Sequence, residues 1–407
     1  MDILSRIKPS KKEEKETSEK IKKIIDKIKI KDTKIMLGGS GAKGTFLKDT
    51  HDADIFVKFN YKKYKDKSDQ LSSILEKRLK KAFPRVIKLH GSRDYFQIKK
   101  SNFTFEIIPI LDISKAEQAK NITDISPLHV KWVNKNTNQK LKDEIRIAKA
   151  FCKAQNVYGA ESHIRGFSGY SLEILTIYYK SFNNLIKNAS KWKPKQVIDP
   201  KHYHKNALNE LNQAKIEAPL VLVDPVQPDR NATAALSEEK YKNFISASKA
   251  YLKNKSQNFF IKKEIDINKL KKRKGYLLLL EVTPLAGKED VVGCKLVKAL
   301  NYLKKHLTLE GYNVLDCNWE WNKKVLFWFL VENNKLPKYK IHYGPPIYAK
   351  ENLKKFKAKH KKIYINKTKS YTKIQRKYTE MEDFIKNFIR KDNNIKNKAK
   401  KIEVIKC

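Results

Sequence analysis

Apolar residues recur along this chain at two spacings, and the change from one to the other separates helices from strands. Ile21, Ile24, Ile25 and Ile28 fall three and four apart in a charged stretch, which predicts an amphipathic helix over 11–31. A short apolar run at 34–37 leads into glycines, and a strand follows over 54–59. Leu71, Ile74, Leu75 and Leu79 then mark the inner face of a polar helix over 68–82, with Pro84 at its end. Strand-like runs occupy 95–99 and 103–110, and the polar stretch NITDISPLH at 121–129 reads as a linker. Beyond it, a helix over 141–156 turns Ile145, Ala148, Phe151 and Cys152 inward. Arg146, Lys149 and Lys153 share another side, a basic stripe that would ordinarily be a solvated face and becomes more pointed because Tyr158, at the helix end, sets an aromatic ring beside the charges. A largely apolar helix over 170–182 and a strand over 221–223, reaching Asp224-Pro225, follow.

The pattern changes near residue 261. A basic stretch at 269–274 precedes a strand over 276–283, a helix over 290–309, and strands over 313–321 and 324–331. Gly344-Pro345-Pro346 and a short Lys-rich helix complete what reads as a small α+β sandwich. Trp319, Trp321 and Trp328 fit core packing there better than base stacking. Beyond 363 the chain is Lys-rich, with one helix over 378–388 and a basic end expected to fray.

Composition sharpens this outline. At 407 residues the chain exceeds what one core serves, so two to three domains are expected. Lys and Arg number 89 against 44 Asp and Glu, a net charge of +45. Such an excess repels itself unless a polyanion offsets it, and nucleic acid is the usual partner. An anionic membrane would call for an apolar anchor, whereas the apolar runs here are only strand-sized. Cys152, Cys294, Cys317 and Cys407 are scattered, which argues against a disulfide framework or a zinc site. The first 31 residues are charged throughout rather than signal-like, so a reduced cytoplasm is expected.

The candidate chemistry lies in GGSGAKGTFLKDTHDADIFVK, residues 38–58. Asp52 and Asp54 are two apart at the start of a strand, so both side chains point to one face. Carboxylates crowded on one face call for a cation, and Mg²⁺ is held by one or two carboxylates plus substrate phosphates. The glycine turn lets the backbone approach a phosphate closely, and amide groups at a helix start favour an anion. Glu106 is a charge inside the apolar run FTFEIIPI, which a third metal-side carboxylate explains directly; a Glu on the open face of an edge strand, or one paired with a Lys, is the alternative. Asp112 is a rival for that place, but it lies past Pro109, where the strand is expected to have ended. Together these features predict metal-dependent nucleotidyl transfer.

The stretches GGSGAKGT, HDADIFVKF, FEIIPI, ITDISPLHVKW, NVYGAESHIRGFSGY and VLVDPVQPDRNATAALS, in this order, resemble the archaeal (class I) CCA-adding enzymes. These are CCA tRNA nucleotidyltransferases of the DNA polymerase β-like superfamily. The resemblance implies a multidomain α+β protein. A polymerase β-like head with a small mixed sheet would occupy 1–125, and a mainly helical nucleotide- and tRNA-binding domain 126–260. An α+β body would cover 261–362 and a basic tail 363–407. It implies that Asp52, Asp54 and Glu106 hold two Mg²⁺ ions, and that Gly39, Ser40 and Lys43 meet phosphates. Ser126, His129, Lys149 and Tyr158 would contact the nucleotide's sugar and triphosphate, and Arg230 would help select CTP or ATP. The implied partners are CTP, ATP and the acceptor stem and elbow of tRNA, with no membrane and with room for a homodimer. The chain departs from the family at Glu106, where Asp is commoner, at Lys43, where Arg also occurs, and in a tail that looks abbreviated. A poly(A) polymerase, an oligoadenylate synthetase-like protein and an inactive RNA-binding relative are the alternatives; the first two would ignore CTP.

Overall fold

The computed structural model describes residues 3–48, 50–262, 264–322 and 324–405. Its contacts divide the chain into two compact units, Met1–Lys263 and Glu264–Cys407.

In the first unit, β1 (Thr33–Leu37), β2 (Asp52–Asn60), β3 (Ile87–Leu89), β4 (Tyr95–Lys100) and β5 (Phe103–Asp112) form a sheet in the order β1-β2-β5-β4-β3. β2 and β5 run parallel and the other pairs antiparallel, the small mixed sheet expected for the head. Alternation puts Ile55, Val57 and Phe59 on one face with no exposure. There they join Leu71, Leu75 and Leu79 from the helix Leu71–Ala82 in one core. Each such side chain contributes roughly 1.5–3 kcal/mol by leaving water. The helix Lys11–Ile25 is fixed at its start by a capping box between Ser10 and Glu13, and lends Ile21 and Ile24 to the same core.

Two expectations need correction here. β5 runs through Pro109 to Asp112 rather than stopping before the proline. β4 ends opposite Ile107, so Pro109 has a strand neighbour on one side only, and Arg93 Nη1 donates to its carbonyl at 3.1 Å. The stretch 121–129 is not a linker. Asp124 is fully buried and accepts from the amides of Leu111 (2.9 Å), Lys120 (3.1 Å) and Asn121 (3.0 Å) while pairing with Arg93. A buried carboxylate so completely satisfied acts as an anchor. It fixes the start of the helix Ser126–Lys135.

The rest of this unit is mainly helical. Gln139–Ala154, Gly169–Tyr179, Phe182–Ala189 and Glu238–Lys253 enclose a core containing Phe151, Phe167, Phe182 and Phe244. A short parallel pair, Gln196–Ile198 with Leu220–Leu222, leads the chain to Asp224.

The second unit contains a four-stranded sheet ordered Lys401–Ile405, Tyr276–Thr283, Val325–Val331, Val314–Trp321, packed with the helix Glu289–Glu310. Trp328 is buried, and Trp319 and Trp321 pack against the core, as their alternation suggested. A three-stranded sheet (Tyr339–Pro346, Lys369–Gln375, Tyr364–Asn366) lies beside the helix Lys350–Lys359. Among the described residues, the basic end is folded rather than frayed. Met381–Lys391 is a helix that buries Met381 and Ile385, and Lys401–Ile405 pairs with Tyr276–Thr283, placing Ile402 opposite Val282.

Candidate active site

Asp52 opens β2, and Asp54 lies directly opposite Glu106 in the parallel pairing of β2 with β5. The two carboxylates therefore share one sheet face on adjacent strands, and Asp52 shares that face two residues away. Burial pushes the Asp54 carboxyl up to about 7, and the charges of Glu106 and Asp52 add to the push; Lys43 only partly relieves it. Glu106 accepts from Gln97 Nε2 at 3.2 Å. Asp112, the rival, is occupied elsewhere, at 2.6 Å from Lys58 and 3.3 Å from Lys34.

Among the described residues, no three His, Cys, Asp or Glu side chains close on one point as a finished metal cage. The donors here are nevertheless all carboxylate oxygens, and at Asp54 their mutual repulsion outweighs the relief that Lys43 gives. That set fits a hard divalent cation whose shell is completed by ligand oxygens.

The glycine turn is shaped around the same group. Gly39 has φ +54°, and a Cβ there would overlap the Asp54 carboxylate. Next to it, a Cβ at Gly38 would strike the ring of Phe56. Only glycine lets this backbone lie so close to the carboxylate face. Ser40 is half-buried within the short helix Gly39–Lys43 that follows.

Lys43 ends that helix and is itself buried, with Nζ 2.8 Å from Glu173 Oε2. The other carboxylate oxygen of Glu173 takes Lys149 Nζ at 2.7 Å and Thr45 Oγ1 at 2.7 Å. Lys149 is also 3.0 Å from Thr45 Oγ1. Burial pushes the Glu173 carboxyl upward, but the Lys149 and Lys43 ammonium groups win and hold it at about 2. The basic stripe divides: Arg146 is 1 % and Lys149 3 % exposed, so both lie inside, while Lys153 stays at the surface. Tyr158 joins them, since its Oη and Lys149 Nζ both abut Gly169.

A second carboxylate, Asp224, collects the remaining candidates. It is fully buried and accepts from Arg230 Nη1 (2.7 Å), Tyr170 Oη (3.0 Å) and the Val226 amide (2.9 Å). His129 Nε2 stands 3.2 Å from it, outside hydrogen-bond geometry, and burial lowers the imidazole's pKa, which favours the neutral ring. Tyr170 ties the two hubs together. Its ring stacks on His129 at 4.1 Å, and Lys43 Nζ lies 4.9 Å above it.

The folded chain thus brings Asp54 beside Glu106, Lys43 beside Lys149 and Tyr158, and His129 beside Arg230. Ser126 opens the helix one turn before His129, but among the described contacts it enters neither network. Sequence reasoning missed Glu173, Tyr170 and Asp224. Glu173 carried a usable signal, a lone charge in the apolar helix GYSLEILTIYY, the same anomaly that singled out Glu106.

Family patterns match most of the chain: "Nucleotidyltransferase domain" at residues 18–151, "tRNA nucleotidyltransferase, second domain" at 143–261, and "CCA-adding enzyme, C-terminal domain" at 283–403. The CCA-adding enzyme of Nanoarchaeum equitans is 40% identical, over 90% of this chain and 94% of that protein. Those of Sulfurisphaera tokodaii (32%; 95% and 90%) and Methanocaldococcus jannaschii (31%; 97% and 91%) are similar along nearly their whole lengths. Among solved structures, the Cid1 poly(U) polymerase with Mg 3′-dATP bound superposes with a TM-score of 0.52 at 13% identity, over 64% of this chain and 96% of that one. That likeness speaks to the fold alone. Among the described residues, no helix is long and apolar enough to cross a membrane.

Proposed function

The chain belongs to the CCA-adding enzymes, nucleotidyltransferases that add C, C and A to the 3′ end of tRNA, and from that premise we propose a role for each side chain of the site. Asp52, Asp54 and Glu106 hold Mg²⁺, supported by the opposed strands and by the oxygen-only donor set. When bound, the metal supplies positive charge for the attacking 3′ oxygen and for the leaving pyrophosphate. Gly39, Ser40 and Lys43 receive phosphates at the turn, with Lys149 beside Lys43. Ser126, His129 and Tyr158 border the nucleotide's sugar and triphosphate. Arg230 contributes to the choice between CTP and ATP, held for that purpose by Asp224. Residues 1–125 act as the catalytic head, 126–260 as the nucleotide- and tRNA-binding centre, 261–362 as the body and 363–407 as its basic end. Mg²⁺ as the working metal, a cytoplasmic location and a homodimer complete the reading; metal substitution, fractionation and light scattering test these.

The observation that carries the reading is Asp54. It is a half-buried carboxylate opposite a second one, under a turn where any side chain would collide with it. The decisive experiment gives the protein a tRNA lacking its CCA, with Mg²⁺ and CTP, ATP or both, and sequences the products. CTP alone should yield CC, both together CCA and no more. Untemplated runs of A with CTP ignored would replace this reading by a poly(A) polymerase.

A further inference from the structure

We infer that Glu173 is the positioning residue of the nucleotide's triphosphate, clamping the ammonium groups of Lys43 and Lys149 side by side for the incoming phosphates. The inference rests on the reading that these two lysines meet the triphosphate.

Three elements converge on this carboxylate: the glycine-turn helix through Lys43, the helix Gln139–Ala154 through Lys149, and the helix Gly169–Tyr179 that carries Glu173 itself. The contacts are 2.8 Å and 2.7 Å, with the Thr45 hydroxyl as a third donor at 2.7 Å. Glu173 is 1 % exposed in an otherwise apolar helix, where an aliphatic side chain would pack without the cost of burying charge. The carboxylate therefore has a task that packing does not explain. Two ammonium groups stand against this one carboxylate, with Lys43 shared between it and the charge of Asp54, and the pair presents positive charge that a triphosphate can meet. Without the carboxylate, two buried cations would face each other. Lys149 is the more exposed to that loss. Burial already lowers its pKa, Glu173 is what raises it, and Lys43 and Lys153 oppose the proton. Its other hydrogen-bond partners, the Thr45 hydroxyl and carbonyl, are neutral.

The test measures KM and kcat for CTP and for ATP, with saturating CCA-less tRNA, in Glu173→Gln, Glu173→Asp and Lys149→Ala. Glu173→Gln should raise both KM values alike, by about tenfold or more, with kcat within about threefold of the parent and tRNA affinity unchanged. A base-selecting or merely structural role would not move both nucleotides together while sparing kcat. Lowering the pH from about 8.5 to about 6.5 should recover part of the loss in Glu173→Gln by returning a proton to Lys149, and none in Lys149→Ala. Glu173→Asp, which keeps the charge but reaches less far, should fall between parent and Glu173→Gln. If Glu173→Gln fails to fold by thermal melt, Glu173→Asp decides: a raised KM with a parental melt supports the clamp, and a parental KM overturns it. If Lys149→Ala raises KM while Glu173→Gln does not, the clamp is wrong and the triphosphate reading stands. If Lys149→Ala itself leaves both KM values unchanged, the triphosphate reading fails instead.

Discussion

The acidic group of Asp52, Asp54 and Glu106 and the mixed group of Glu173, Lys43 and Lys149 each hold a carboxylate that burial penalises, Asp54 in the first and Glu173 in the second, yet the two charges are settled in opposite ways. Glu173 is matched inside the protein by two ammonium groups and a hydroxyl, and its carboxyl stays far on the ionised side. Asp54 faces other carboxylates and is pushed toward holding a proton. The difference separates a group that carries its counter-ions with it and keeps positive charge for an anion from one that keeps negative charge for a cation. The first group is already folded around its own ions. The second keeps a repulsion that Lys43 relieves only in part and that a cation would lower further.

The comparison breaks most directly at Asp54. Replacing Asp54 by Ala should lower single-turnover transfer by about a thousandfold or more, while tRNA affinity by filter binding stays within about twofold. Near-normal transfer would mean the acidic cluster is not where the metal works. Asp224→Asn, which keeps the shape of the second hub but removes its charge, should cost about tenfold in kcat/KM. The preference between CTP and ATP should shift with it, because Arg230 loses its 2.7 Å counter-ion. Equal losses for both nucleotides would detach Arg230 from base choice.

A third, milder effect concerns stability. The folded Asp54 carboxyl titrates near 7 against an ordinary 3.8, so the metal-free folded state binds this proton more tightly than the unfolded chain does. The resulting stability is present below about pH 4 and is lost as pH rises toward 7. Asp54→Asn should therefore melt with the parent near pH 4 and a few degrees above it at about pH 8. Adding Mg²⁺ to the parent should give a similar gain at about pH 8 and little at about pH 5. A gain independent of pH would show that the acidic charge is relieved by another route. The smallest effect is expected for Tyr170→Phe, which keeps the stack on His129 and loses the 3.0 Å bond to Asp224: about a threefold fall in kcat/KM.

Much of this contrast was open to reading from the chain itself. Asp52 and Asp54 stand at a strand start, Glu106 breaks an apolar run, and both signals are local. The parallel register that sets Asp54 opposite Glu106 is not local, since it depends on pairing across roughly fifty residues. Polar residues misled wherever their partners were distant. Asp124 read as part of a linker because two of its donors, Arg93 and the Leu111 amide, lie elsewhere in the sequence. Lys149 and Arg146 read as solvated for the same reason: a basic residue at helical spacing looks alike whether it meets water or a buried carboxylate. Glu173 was legible by the rule that found Glu106, and it was the resemblance that supplied Lys149 its role without its counter-ion.

The strand Lys401–Ile405, paired along Tyr276–Thr283, has a consequence for biosynthesis. The first strand of that sheet emerges from the ribosome more than a hundred residues before its edge partner does. Until then, Leu280 and Val282 lack the neighbour that flanks them in the finished sheet. The four-stranded sheet can therefore close only when translation of this region is nearly over, whereas the candidate site, complete by Arg230, has already had time to assemble.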